Sequence, residues 1–160
     1  MVKEFMPRLI EGTLPAPEEV REYMLKQVHN YFNDHEKVGR PEVFGRIGDE
    51  RVVTFDLLRP EVIRTITRKF LAGLITSAQK LGHTLVVDSS VESFMAKEMV
   101  KPNRLLQGGR GIKTLLRGKV ENPLTDWIAR PSRPSQMRLE VAITDDGKEL
   151  IVNGDRVGTE

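Results

Sequence analysis

Cysteine is absent from the chain. That absence excludes disulfide bonds, a thiolate nucleophile and any thiolate-held metal, and it fits a reducing compartment. An excess of one charge is missing too. The 25 Lys and Arg stand against 23 Asp and Glu, a net charge of +2, and no Lys/Arg run supports a nucleic-acid partner. The pI near 9.0 is a product of near balance. Long apolar runs are lacking as well. Met1 to Gly12 has no signal-peptide core, and no stretch approaches the roughly 20 apolar residues of a membrane span. A cytoplasmic chain with no membrane partner is the expectation. Histidines number three. His29 and His35 read as surface residues without the further ligands that a metal needs, so no metal site is expected. There is no internal repeat.

What is present is an ordinary globular composition, 39% hydrophobic and 30% charged, enough for one modest domain or two small ones. The organising stretch is Leu105-Leu106-Gln107-Gly108-Gly109-Arg110-Gly111-Ile112-Lys113-Thr114-Leu115-Leu116. Glycine permits tight turns and close backbone approach. Ile112, Leu115, Leu116, Val120, Leu124, Trp127 and Ile128 follow at helical spacing. Arg110 is thereby placed on the first turn of a helix. A helix N-terminus and a guanidinium both favour an anion such as phosphate. The stretch is not a Walker A loop, because Ile112 separates Gly111 from Lys113, and Thr114 stands where a dinucleotide fingerprint needs its last glycine.

In chain order, residues 1–17 read as a flexible lead-in with Gly12, Pro15 and Pro17. Glu18 and Glu19 open a helix to about Asn33, with Val20, Met24 and Val28 on its apolar face. Residues 40–49 read as turn-rich, and Val52, Val53 and Phe55 as a short strand. Pro60 starts a long helix, whose stripe runs through Ile63, Ile66, Phe70, Leu74 and Ala78 to a C-terminal Gly82. Thr84–Val87 is a strand, and Asp88, Ser89 or Ser90 caps the next helix. Residues 101–103 form a turn, and Pro123 is expected to kink or break the helix after Arg110. Residues 130–135 are a linker, and Met137–Ile143 and Leu150–Val152 form a hairpin about a turn at Asp145-Asp146-Gly147. Those two aspartates read as solvated turn residues rather than paired catalytic carboxylates. The end from Val157 is expected to fray.

The order of these segments resembles the C-terminal end of a Clp-type AAA+ ATPase, the ClpA/ClpB class of protein unfoldases. The family's R-P-E-F-I/L-N-R-I run appears as Arg40-Pro41-Glu42-Val43-Phe44-Gly45-Arg46-Ile47. Its G-A-R-P-L appears as Gly108-Gly109-Arg110-Gly111-Ile112, and its N-P-L as Asn122-Pro123-Leu124. Gly45 and Gly48 replace an Asn and an Asp of that pattern, Gly111 replaces a Pro, and residues 33–39 look inserted. The resemblance covers about Glu18 to Val152. It implies an α+β fold: a small C-terminal lid domain over residues 58–155, helices on a small β-sheet, and a tail at 156–160. Residues 18–57 would be the end of the AAA+ large domain, with a helix, the finger loop and a strand.

By the same resemblance Arg46 matches the arginine finger, which reaches the γ-phosphate held by a neighbouring subunit. Arg110 matches the sensor-2 arginine, which contacts the nucleotide of its own subunit, and Ile66 an apolar position near the adenine. ATP with magnesium is the implied cofactor. The implied partners are neighbouring subunits of a homo-hexameric ring, protein substrates and, in some relatives, a peptidase. Walker A, Walker B and sensor-1 segments are not in the sequence, and the resemblance places them upstream of Met1. A fragment inactive alone is one expectation. A stand-alone interaction or adaptor module with a lid-like fold and no nucleotide chemistry is the other. Without the resemblance, Arg46 reads as an intramolecular ion pair with Asp49 or Glu50, and Arg110 as a surface arginine.

Overall fold

The computed structural model describes residues 2–34, 36–105 and 107–158. His35 and Leu106, together with Met1, Thr159 and Glu160 at the ends, lie outside the described residues. The chain divides into two compact units, Met1–Leu57 and Leu58–Glu160.

The first unit holds helices α1 (Val2–Ile10), α2 (Pro17–Asn33) and α3 (Pro41–Ile47), then a 3-10 turn at Asp49–Arg51. Three expectations are corrected here. The lead-in is largely helical. Phe5 and Leu9, one helical turn apart, are both buried, and the Phe5 ring meets Tyr23 of α2 edge-on at 5.2 Å. That burial outweighs the turn-forming composition. Residues 41–47 form α3 rather than a turn-rich loop, because Pro41 pre-sets the first turn and Phe44 gains a buried seat. The strand expected at Val52, Val53 and Phe55 is not formed. Residues 52–59 carry no regular structure, and Val53 and Phe55 are 81% and 80% exposed. A strand exists only by pairing, and no strand among the described residues pairs with this segment.

The second unit is α+β. Helix α4 (Pro60–Lys80) leads through Gly82, at φ +85°, into strand β1 (Thr84–Val87). Asp88 caps α5 (Ser89–Met99), its carboxylate accepting the Ser90 N–H at 2.7 Å. A short α6 (Pro102–Leu105) takes the place of the expected turn, and α7 (Gly108–Leu116) follows. Pro123 does not break what comes next. The helix widens into a π turn at Arg117–Glu121, where the Asn122 N–H reaches back five residues to the Arg117 carbonyl, and then runs on as α8 (Asn122–Ile128). Proline lacks the N–H for a regular bond and clashes with the carbonyl four residues back. A widened turn just before it relieves both problems.

Strands β2 (Arg138–Ile143), β3 (Glu149–Val152) and β4 (Asp155–Gly158) complete a sheet in the order β1-β2-β3-β4. The first pair is parallel and the other two antiparallel. β4 takes in residues 156–158, which composition leaves as a tail, and its Val157 is buried opposite Leu150. Asn153-Gly154 makes the turn, both at positive φ. That dipeptide is the usual signal for a two-residue hairpin.

Alternation along the strands sends Leu85, Leu139, Val141, Leu150 and Val152 to one core with α4, α5, α7 and α8. The α4 stripe packs on the core as expected, except that Val62, on its expected margin, is exposed. Ile63, Thr67, Leu71 and Ala78 are its fully buried members, while Ile66, Phe70, Leu74 and Ile75 pack on the core half-buried.

Candidate functional site

Arg110 lies on the first turn of α7, as the glycine pattern predicts. Ile112, Leu115 and Leu116 bury the opposite face of that helix. Gly108 at φ +56° turns the chain into the helix. Gly111 is needed for a different reason: a Cβ there would come within 2.7 Å of Gln107 Cβ and 3.1 Å of Met99 Cε. The absent side chain lets α7 lie close on α5. Among the described residues nothing lies within 4 Å of where a Cβ would sit at Gly108 or Gly109, so the backbone beside Arg110 is open to them. The Arg110 side chain is exposed, and its guanidinium has no ion-pair partner among the described residues. Its carbonyl accepts the Thr114 hydroxyl at 3.2 Å. An open turn with an uncommitted planar cation suits a phosphate oxygen.

Ile66 sits on α4, half-buried against the core, and α4 packs on α7. Arg110 and Ile66 thus stand on two helices packed against each other.

Arg46 lies in the first unit, exposed, in the last turn of α3. Its helix is held by Phe44, whose ring is 4.0 Å from His29 and 5.6 Å from Phe32, both on α2. The ion pair with Asp49 is not formed. His29 Nε2 takes Asp49 Oδ1 at 3.0 Å instead, and Arg46 makes no ion pair with Glu50 among the described residues. Gly45 has open space where a Cβ would be, so packing does not require a glycine there.

Asp146 behaves as a turn residue. Its carboxylate accepts the Lys148 N–H at 3.1 Å and the Thr144 hydroxyl at 2.8 Å, which hold it below the usual aspartate range, the backbone bond most. Among the described residues no group of three or more His, Asp or Glu is placed to hold a metal. No described helix is long and apolar enough to cross a membrane.

Two side-chain arrangements went unseen in the sequence. Arg133, from the expected linker, stacks its guanidinium 3.8 Å over the Trp127 ring and donates to Asp155, which also accepts the Trp127 indole N–H at 3.1 Å. Asn153 extends the ladder beside β2: its Oδ1 accepts the Glu140 N–H at 2.7 Å and its Nδ2 donates to the Arg138 carbonyl at 2.9 Å. Asn-Gly was a visible signal for the second. Nothing local signals the first, since its members lie up to 28 residues apart.

Residues 58–141 match the family model of the C-terminal D2-small domain of ClpB protein. The chain is also 32% identical over 112 residues to "Chaperone protein ClpB 2" of Parasynechococcus marenigrum (strain WH8102), an alignment covering 69% of this chain and 12% of that protein. The chain thus spans a small part of the length of the curated relative it matches.

Proposed function

The chain belongs to the ClpB family of Clp-type AAA+ chaperone ATPases, through its C-terminal D2-small domain, and from that premise we propose that it serves an ATP-driven protein unfoldase as the lid-bearing part of a subunit. In this reading Arg110 grips phosphate oxygens of the nucleotide in its own subunit, and movement of the lid follows nucleotide state through α7. Arg46 reaches the nucleotide of the next subunit in a homo-hexameric ring and places a permanent positive charge beside the transferring phosphoryl group. Ile66 offers an apolar contact near the base. The bound group is ATP with magnesium. The setting is the cytoplasm, with protein substrates and, in some assemblies, a peptidase.

The observation that carries the reading is the state of Arg110. It is an exposed guanidinium without an ion-pair partner among the described residues, on an open glycine-flanked helix start whose far side is locked into the core. Arg46 supports it, being exposed on a helix that aromatic packing fixes in place.

The test is made in a ClpB-type subunit that carries this segment. Arg46→Ala lowers ATP turnover by about a hundredfold or more, and Arg110→Ala lowers it and weakens nucleotide affinity, while ring assembly by size-exclusion chromatography is retained. Arg46→Lys rescues poorly, because a lysine lacks the planar fork. Unchanged turnover in both variants overturns the reading and leaves the adaptor module. The isolated chain, which holds no Gly-Lys-Ser or Gly-Lys-Thr sequence, hydrolyses no ATP on its own.

A further inference from the structure

The sheet has a second face. Because alternate side chains enter the core, Val86, Ala142 and Ile151 face the other way, Val86 exposed and the other two half-buried. They floor an open groove of about 630 Å³ across β1, β2 and β3. Its rim is formed by Asp88, Glu140 and the Asn153 turn. Both charged side chains that line it are carboxylates, while Arg138 and Arg156 flank it on the same face, ion-paired to Glu140 and Glu149. Ser90 bonds hold Asp88 below the usual aspartate range, so it stays ionised. Glu140 takes Arg138 Nε at 3.0 Å, one of about four acceptor positions that a carboxylate offers.

We propose that this groove docks an extended segment of another polypeptide in which a small aliphatic residue adjoins a lysine or arginine. The floor is apolar and shallow, and the rim is acidic. A basic side chain satisfies both, because its methylene stem covers the floor while its cationic head stays at the wet edge beside the carboxylates. An acidic segment meets repulsion at Asp88 and Glu140, and a purely apolar one leaves the rim unmatched. The groove lies wholly in the second unit and involves neither Arg110 nor Arg46, so this inference stands or falls apart from the nucleotide reading.

The probe is a fluorescein-labelled Val-Lys-Val-Lys-Val peptide titrated with the full chain and followed by fluorescence anisotropy, with Val-Glu-Val-Glu-Val as its counterpart. The lysine peptide binds saturably and the glutamate peptide does not. The D88N/E140Q double variant weakens binding about five- to tenfold, the size expected of two exposed ion pairs; Asn keeps the helix cap, so the fold is preserved. Independently of any variant, amide chemical shifts of Val86, Ala142 and Ile151 move on addition of the lysine peptide. Equal affinity for the two peptides, equal affinity of the double variant, absence of saturable binding, or shift changes located elsewhere each overturn the proposal. A dimer in sedimentation that the double variant abolishes also overturns it, since the face would then belong to a second copy.

Discussion

Thr67 is fully buried on α4, and its hydroxyl has no hydrogen-bond partner among the described residues. A buried hydroxyl without a partner keeps its desolvation cost, so Thr67→Val, which keeps the branched shape, raises unfolding free energy by about 1 kcal/mol. The check is a higher urea midpoint at unchanged slope. Asn153 is the opposite case. Its left-handed backbone suits Asn, and its amide fills two ladder positions beside β2. Asn153→Ala therefore costs about 2 kcal/mol. Asn153→Asp, which keeps the acceptor and loses the donor, costs less in the same denaturation experiment. Asp155 adds a pH dependence. The Arg133 guanidinium, and then the Trp127 indole, hold its carboxyl below the ordinary aspartate value. A depressed folded-state value means that the stabilisation is complete above the unfolded value, near ~3.9, and is lost as pH falls through the folded one. Acid titrations of stability are expected to show that loss below about pH 4, and Asp155→Asn to remove it.

At the scale of elements, the glycines separate by what surrounds them. Gly147, at φ +67°, lies against the Phe94 ring, which a Cβ would overlap. Gly147→Ala is expected to cost about 2 kcal/mol or more through strain and repacking. Gly45→Ala, in open space within α3, is expected to stabilise by up to about 1 kcal/mol, seen as a higher thermal midpoint. These contrasts bear on what the sequence could disclose. Period and capping rules located α2, α4, α5, α7 and three of the four strands, because amphipathic spacing and caps are local. The glycine-rich turn put Arg110 where it is found for the same reason. The segments misjudged were those whose state depends on distant partners. α1 needs Tyr23 and α3 needs His29 and Phe32. Residues 52–55 have strand-like composition but no strand to pair with among the described residues. β4 was missed although Asn153-Gly154 announced it. On α4, the buried Thr67 and the exposed Val62 follow from what packs on the helix, which a helical wheel cannot contain.

At the scale of the molecule, the contiguous core of the second unit runs from Ile63 to Val157. Residues 58–160 expressed alone are expected to fold cooperatively, with dispersed amide signals and a single thermal transition; a molten spectrum would show that the first unit is required. That core also depends on the π turn at Arg117–Glu121. Ile112, Leu116, Val120 and Leu124 are all buried at a spacing of four, and a strictly α-helical path would drift about 120° over that span. Five residues in the wider turn recover roughly 90° of it, so both ends of the helix present the same side to the core. The turn therefore works as a phase corrector. Deleting one residue from 117–121 would keep Trp127 on the core side, because eleven regular steps of about 100° come within about 20° of three full turns. It would also return Pro123 to a regular helix and to the carbonyl clash that the wider turn relieves, so the shorter chain is expected to be less stable for being more ideal.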